Sequence, residues 1–403
     1  MSWAMRMLLI ISPVVFVCQL YEGWRIANSL ASLLSIHKIK ILIFLSLFIL
    51  SVNFLPLLII FYHGAGMMDK FFLFNRNLTW YGVLITFSYW WALVVAIEAL
   101  PYFLSLDIFR IIFRTFSKMK YAAFKPYFHW IRLVIILFLI MFSGYKIMMN
   151  TYFVKRNHHV IHLNNLPPEM SGLTITLLSD IQVDRYTQRF KLNATKNRIE
   201  EIQSDLVIFT GDLVTHGEYY IQTGLNLLCD ITPQASKFAC LGDHDFWSNP
   251  VKIADGLKNC GWTFLENQHH LTDYRNHTIL VTGLTQIYSR RLSPADLESI
   301  LSSAPPADLK ILMVHQPSHH IIQAAQKYKY DLLLAGHTHG GQVVFHPFGF
   351  PLTPSQFENQ FFSGHHTVGS LNIIVTNGVG LTLAPIRYGA QAEISTITLQ
   401  SAK

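Results

Sequence analysis

The sequence predicts a multi-span α-helical membrane region followed by an α/β domain, with a boundary between residues 1–155 and 156–403. Three observations support this. The 403 residues are 51% hydrophobic and only 14% charged, whereas ordinary soluble domains carry about 25% charged residues. The long apolar runs all lie before Thr151. Beyond Arg156, short apolar runs of strand length alternate with polar helical patterns, the signature of a mixed α/β layer structure.

A membrane span needs about 20 mostly apolar residues. Ile41–Tyr62 qualifies, although Asn53 and Pro56 interrupt it. Trp80–Leu100 qualifies, with Glu98 near its end, and so does Trp130–Met149, whose Arg132 and Lys146 lie where they can snorkel. Met7–Tyr21 is shorter and contains Pro13. It could be an uncleaved signal-like segment, but no small-residue cleavage site follows it. It is therefore counted as the first of about four spans, and membrane lipids are expected partners. A transporter or channel reading has little support, because the spans carry few ionisable residues and none near a centre.

Between the third and fourth spans, Arg110, Arg114, Lys118, Lys120 and Lys125 interleave with Phe109, Phe113, Phe116 and Phe124, and Arg110, Arg114 and Lys118 recur at helical spacing. An interfacial helix on an anionic leaflet and a short basic loop both fit. Arg25, Lys38 and Lys40 after span one, together with this stretch, outweigh Arg6, Lys70, Arg76, Lys155 and Arg156 on the other side. The excess places an integral protein in the cell membrane with its second half extracytoplasmic. The net charge is +7, but no continuous basic tract exists, so no nucleic-acid partner is expected. Cys18, Cys229, Cys240 and Cys260 show no CxxC spacing. They are expected to be small buried residues, with no disulfide framework or thiolate metal site.

In the second half, strands are expected at Leu173–Leu178, Leu206–Thr210, Phe238–Leu241, Ile279–Leu284, Ile311–Val314, Leu332–Ala335, Ile373–Val375 and Ile394–Leu399. Helices are expected at Asn193–Gln203 and Ala295–Ser303, the latter with Ser293 as N-cap and Pro294 at its first position. Five of these strands run directly into chemistry-bearing residues. They are Asp180; Gly211-Asp212; Gly242-Asp243-His244-Asp245; His315; and the run Gly336 to Gln342, which contains His337 and His339. Taken singly, each block is commonplace: a Gly-Asp pair is an ordinary turn, and a lone His is more often a core or capping residue. Together they matter, because strand ends on one edge of an α/β sheet converge on the ligand crevice. Carboxylates and imidazoles gathered there suit Mn, Fe and Zn, and two adjacent cations polarise a phosphoryl group and activate water.

These blocks resemble the calcineurin-like metallophosphoesterase superfamily, whose pattern runs D-x-H, GD, GNH[DE], H, GHxH. The run GHTHGGQ (Gly336–Gln342) is similar to its bacterial, membrane-linked branch, as is the tail Asn377-Gly378-Val379-Gly380, Pro385-Ile386-Arg387 and Glu393. The similarity covers about residues 160–400. It implies a four-layer α/β/β/α sandwich holding two divalent metal ions. One ion would take Asp180, Asp212 and His339, with Gln182 at the position of the first motif's His. The other would take Asp212, Asp243, His315 and His337. His244 would face the phosphoryl group and protonate the leaving oxygen. Asp245 would hydrogen-bond His244 and fix its tautomer, and a metal-bridging hydroxide would be the nucleophile. Arg387 stands either as a phosphate contact or as an ordinary surface arginine.

Two positions depart from the pattern. Gln182 replaces His, and Asp243 replaces Asn. Both shift the site toward oxygen ligation, so Mn2+ is favoured, with Mg2+, Fe or Zn2+ as the other candidates. Asp184 is a possible substitute ligand for Gln182, although a solvated loop acid fits it better. The expected activity is hydrolysis of phosphate mono- or diesters, or of a lipid-linked pyrophosphate. The alternative is a pseudoenzyme acting as a membrane scaffold or sensor. Specificity is expected in the aromatic loop Phe345–His366.

Overall fold

The computed structural model describes residues 3–67, 80–382 and 384–402; Lys70 and Arg76, counted above for orientation, lie outside them. The chain divides into two compact units. One is Met1–Ile147 with Leu383–Ile386, the other Met148–Thr382 with Arg387–Lys403.

The first unit is helical: α1 (Trp3–Leu34), α2 (Lys38–Val52), α3 (Phe54–Gly64), α4 (Trp80–Phe116) and most of α5 (Lys118–Tyr152). Among the described residues, α1, α4 and α5 can each cross a membrane by length and composition, and α2 with α3, bent by 49° at Asn53, makes a fourth candidate. The bend follows from sequence. The Asn53 amide donates to the Ile49 carbonyl and to Gln19, and Pro56 sits in the first turn of α3, where its missing N–H costs nothing.

The helices outrun the apolar windows. With 37 residues, α4 is about 55 Å long at 1.5 Å per residue, against a hydrocarbon core of about 30 Å. The basic stretch is therefore neither a separate interfacial helix nor a loop. Arg110 and Arg114 belong to the end of α4, and Lys120 and Lys125 to the start of α5. Arg25 is likewise no loop residue: it lies buried in α1. Asp107 accepts from Tyr21 at 2.6 Å and from Arg132 at 2.8 Å, and pairs with Arg25. Mutual compensation of this kind lets charges stay buried. It also removes Arg25 from the orientation count.

The second unit contains β1 (Lys155–Leu163), β2 (Thr174–Leu178), α6 (Arg189–Ile202), β3 (Leu206–Phe209), α7 (Ile221–Cys229), β4 (Ser236–Ala239), α8 (Asp243–Phe246), α9 (Pro250–Asn259), β5 (Thr263–Phe264), β6 (Gln268–Tyr274) and β7 (His277–Leu284). There follow α10 (Pro294–Ser302), β8 (Leu309–Val314), α11 (His319–Lys327), β9 (Leu332–Ala335), α12 (Ser355–Glu358), β10 (Gly364–Val368), β11 (Leu371–Val375) and β12 (Glu393–Ser401). Two six-stranded sheets form, in the orders β1-β12-β2-β3-β4-β5 and β10-β11-β9-β8-β7-β6.

Strand alternation builds the layers. Along β3, Leu206 and Ile208 point into a core shared with Ile311, Met313 and Ile279 of the other sheet. Val207 and Phe209 point the opposite way, toward Ile199, Leu225 and Leu257 of α6, α7 and α9. Along β8, Leu312 and Val314 face Leu297 of α10 and Ile321 of α11. With side chains alternating at period two, each sheet packs the other on one face and helices on the other. The result is the four-layer α/β/β/α sandwich. Ser293 caps α10 as expected, accepting from the Asp296 N–H. One cysteine expectation is overturned: Cys229, at the end of α7, is disulfide-bonded to Cys260, just past α9, while Cys18 and Cys240 are free. Two cysteines 31 residues apart carry no local signal of pairing. Only the packing of α7 beside α9 brings them together.

Candidate metal centre

The C-terminal ends of β2, β3 and β4 meet those of β8 and β9, and each delivers side chains to one buried cluster. Asp180 follows β2 and is fully buried; its Oδ2 accepts from the His337 N–H at 2.9 Å, and its Oδ1 lies 3.3 Å from His339 Nε2. Asp212 follows β3. Its Oδ1 accepts from the His244 N–H and its Oδ2 from the Gln182 amide, both at 2.9 Å, and Oδ2 lies 3.3 Å from His315 Nε2. Asp243 opens α8 with its Oδ1 3.1 Å from both His315 Nε2 and His337 Nδ1. The ligand atoms of Asp243, His315 and His337 lie within 4.8 Å of one another, as do those of Asp180, Asp212 and His315. By distance His315 stands between the two groups, whereas the resemblance gave that place to Asp212.

Two features mark this cluster as built for a ligand. First, Asp180 Oδ1, Gln182 Oε1 and His315 Nε2 are buried without a hydrogen-bond partner. Buried polar atoms are rarely left so, because each costs about 1–3 kcal/mol. Second, Asp180, Gln182, Asp212, His337 and His339 all have φ between 47° and 73°. Non-glycine residues avoid this left-handed region, and such strain gathers at functional sites. Gly211 (φ 99°) passes so near the Gly242 backbone that a Cβ would overlap it.

The imidazoles are set by their far nitrogens. His315 Nδ1 donates to the Thr210 carbonyl at 2.8 Å, which leaves Nε2 as the acceptor. His244 Nδ1 donates to the Thr215 carbonyl at 2.5 Å, and its Nε2 faces Asp212 Oδ2 at 4.0 Å. Burial, and then the Arg387 guanidinium, push the His339 imidazole well below its usual pKa, so it stays neutral. Burial also lowers His337, but the Asp243 and Glu358 carboxylates outweigh this and hold it at about 10.

Three expectations need correction. Asp245 does not touch His244. Its carboxylate, fully buried, accepts from the N–H groups of Asp212, Leu213 and Gly242, so it fixes the backbone of two ligand-bearing turns. The Thr215 carbonyl does the job assigned to it. Arg387 is neither surface nor phosphate contact. It is fully buried and spends its N–H groups on the carbonyls of Gly380, His339, Ala390 and Asn377 and on His339 Nδ1. Asp184 is committed to its own turn, accepting from the N–H groups of Tyr186 and Thr187 and from the Thr215 hydroxyl. Sequence reasoning also missed Glu358, whose Oε1 lies 3.0 Å from His337 Nε2 and accepts from Gln316 at 2.9 Å and from the Tyr288 hydroxyl. No motif marks Glu358 or Tyr288; Gln316 at least adjoins His315.

Carboxylates, imidazoles and one amide oxygen, with Asp180 Oδ1, Gln182 Oε1 and His315 Nε2 left without a hydrogen-bond partner, fit divalent transition cations. Residues 173–341 match the calcineurin-like phosphoesterase family. The chain is 28% identical over 265 residues to the uncharacterised metallophosphoesterase YkuE of Bacillus subtilis, covering 64% of this chain and 90% of that one. It is 30% identical over 254 residues to a transmembrane protein with metallophosphoesterase domain of Danio rerio, covering 60% of this chain and 56% of that one. An uncharacterised metallophosphoesterase of Helicobacter pylori is 26% identical over 242 residues, with 59% and 62% covered. The chain thus spans about half the length of the Danio rerio relative. Site chemistry and sequence agree: residues 173–341 carry a calcineurin-like phosphoesterase domain, the domain of phosphoester hydrolases, and apolar helices precede it.

Proposed function

We propose that the protein is a membrane-anchored, metal-dependent phosphoesterase, residues 1–155 forming the anchor and 156–403 the catalytic domain. The observation that carries this is the set of orphaned buried atoms on Asp180, Gln182 and His315, which a cation would satisfy. Asp180, Asp212 and His339, with the Gln182 amide oxygen, would hold one divalent ion. Asp212, Asp243, His315 and His337 would hold the other. The ions would supply Lewis-acid polarisation of the phosphoryl group and activation of water. The rest falls to the protein. His244, half-buried with its Nε2 free, donates a proton to the leaving oxygen. Asp245 locks the turns that carry Asp212 and Asp243, and Arg387 holds the His339 ring. The oxygen-rich donor set supports Mn2+ over Zn2+. Gln182 does not favour a pseudoenzyme, since its free Oε1 remains inside the cluster.

The substrate is a phosphate mono- or diester or a lipid-linked pyrophosphate. A cavity of about 370 Å3 beside His337, lined in part by His319, Phe357 and Phe361, has the size of a small-molecule subsite. The catalytic domain faces the extracytoplasmic side. Lys38, Lys40, Arg110, Arg114, Lys120 and Lys125 gather around the α1–α2 and α4–α5 connections, as cytoplasmic loops do, and the Cys229–Cys260 disulfide suits an oxidising compartment. Hydrolysis of bis-p-nitrophenyl phosphate and p-nitrophenyl phosphate by the purified chain, scanned over Mn2+, Mg2+, Fe2+ and Zn2+, tests the reading. Turnover highest with Mn2+ is expected; activity indifferent to metal would sink it.

A further inference from the structure

We propose that Glu358 is a positioning residue for His337, its carboxylate accepting the hydrogen bond of the Nε2–H so that Nδ1 would be presented to a cation shared with Asp243 and His315. The proposal rests on the metal-dependent reading above. Glu358 ends α12 in the aromatic loop, far in sequence from every motif, yet its Oε1 lies 3.0 Å from His337 Nε2. It is held there from two directions. The Gln316 amide donates to it at 2.9 Å, and the Tyr288 hydroxyl donates to the same oxygen.

The chemistry follows from the two nitrogens of an imidazole. His337 Nδ1 points at Asp243 Oδ1, 3.1 Å away, inside the cluster. To bind a cation through Nδ1 the ring must carry its proton on Nε2, and Nε2–H needs an acceptor. A carboxylate in that position fixes tautomer and ring orientation and raises ligand basicity. His315 obtains the same result from the Thr210 carbonyl, and His244 from that of Thr215. Among the three, only His337 uses a carboxylate, which would add negative charge beside a cation held by Asp212 and Asp243. Gln316 adjoins His315 in sequence. One turn after β8 therefore supplies one ligand directly and steadies the acceptor behind another. The same carboxylate borders the cavity beside His337, so Glu358 would connect that cavity to the cation site.

The test is a Mn2+ titration of the full chain, apo protein first, followed by calorimetry and by electron paramagnetic resonance of bound Mn2+. Wild type, Glu358→Gln, Tyr288→Phe and Glu358→Asp are compared, with thermal unfolding of each apo protein as the check on folding. In Glu358→Gln one of the two binding steps should weaken by about 10–100-fold, the range seen when such outer partners are lost, while the other step stays within about twofold. Tyr288→Phe should weaken the same step less, and Glu358→Asp should recover part of the loss. Two unchanged binding steps in a folded Glu358→Gln protein overturn the proposal, even if turnover falls, because the carboxylate would then serve substrate alone. Equal weakening of both steps with a lowered unfolding temperature also overturns it, as a general structural effect. A wild type that binds no Mn2+ defeats the underlying reading instead, and is seen before any variant is compared.

Discussion

His244 and Arg387 show how differently two polar residues can serve one site. His244 has a free Nε2 aimed at the cluster and a fixed Nδ1. His244→Ala should lower kcat by about 10²–10⁴, the usual loss for a general acid, with bound metal unchanged by elemental analysis. Arg387 instead ties four carbonyls and the His339 ring together at full burial. Arg387→Met strands those acceptors, so it should destabilise the chain by about 3 kcal/mol or more. Denaturant unfolding checks this; a stable variant with only a raised KM would restore the phosphate-contact role. The ligand residues were legible because a motif states residue types in order. The roles of Asp245 and Arg387 were not, since their partners are backbone groups that no sequence pattern names. Glu358 escaped for a related reason: it meets His337 only through a loop closing across the sheet edge.

At the scale of elements, legibility followed burial. The interior strands β2, β3, β4, β7, β8, β9, β11 and β12 each overlap an apolar run and were all expected. The four that were missed, β1, β5, β6 and β10, are the edges of the two sheets. Edge strands have one neighbour and wet faces: β1 reads KRNHHVIHL and β6 QHHLTDY, and polar edges are what sheets use to avoid further pairing. The short helices α7, α9 and α11 were missed because nine or ten residues leave little room for a periodic pattern, whereas the equally short α10 was found through its Ser293-Pro294 start. The turns after strands are the demanding elements. Gly211→Ala combines a φ of 99° with overlap of the Gly242 backbone, whereas Gly217 (φ 71°) has open space around it. Thermal unfolding should show a loss of roughly 2 kcal/mol or more for Gly211→Ala, with impaired metal binding. Gly217→Ala should lose only about 1 kcal/mol. Equal effects would mean that the close approach of the two turns is unimportant.

For the whole molecule, the apolar half and the α/β half were both legible, but the helices proved longer than the apolar windows. Hydropathy ends where charge begins, whereas a helix continues through charged residues such as Arg25, Asp107 and Arg132 once they pair. Orientation is the claim that the disulfide makes testable. In intact cells, Cys229 and Cys260 should resist alkylation until a reductant is added, as expected of cysteines on the oxidising side. Free thiols at both positions without reductant would place the catalytic unit in the cytoplasm. The central claim, that the clustered carboxylates and imidazoles hold two cations for phosphoester hydrolysis, is tested most directly by titrating the apo chain with Mn2+ while bound metal and bis-p-nitrophenyl phosphate turnover are recorded together. Two Mn2+ per chain are expected, with turnover rising as the second binds and lowered by about 10²–10⁴ in His244→Ala. Binding of no metal, or turnover that persists without it, would contradict the account.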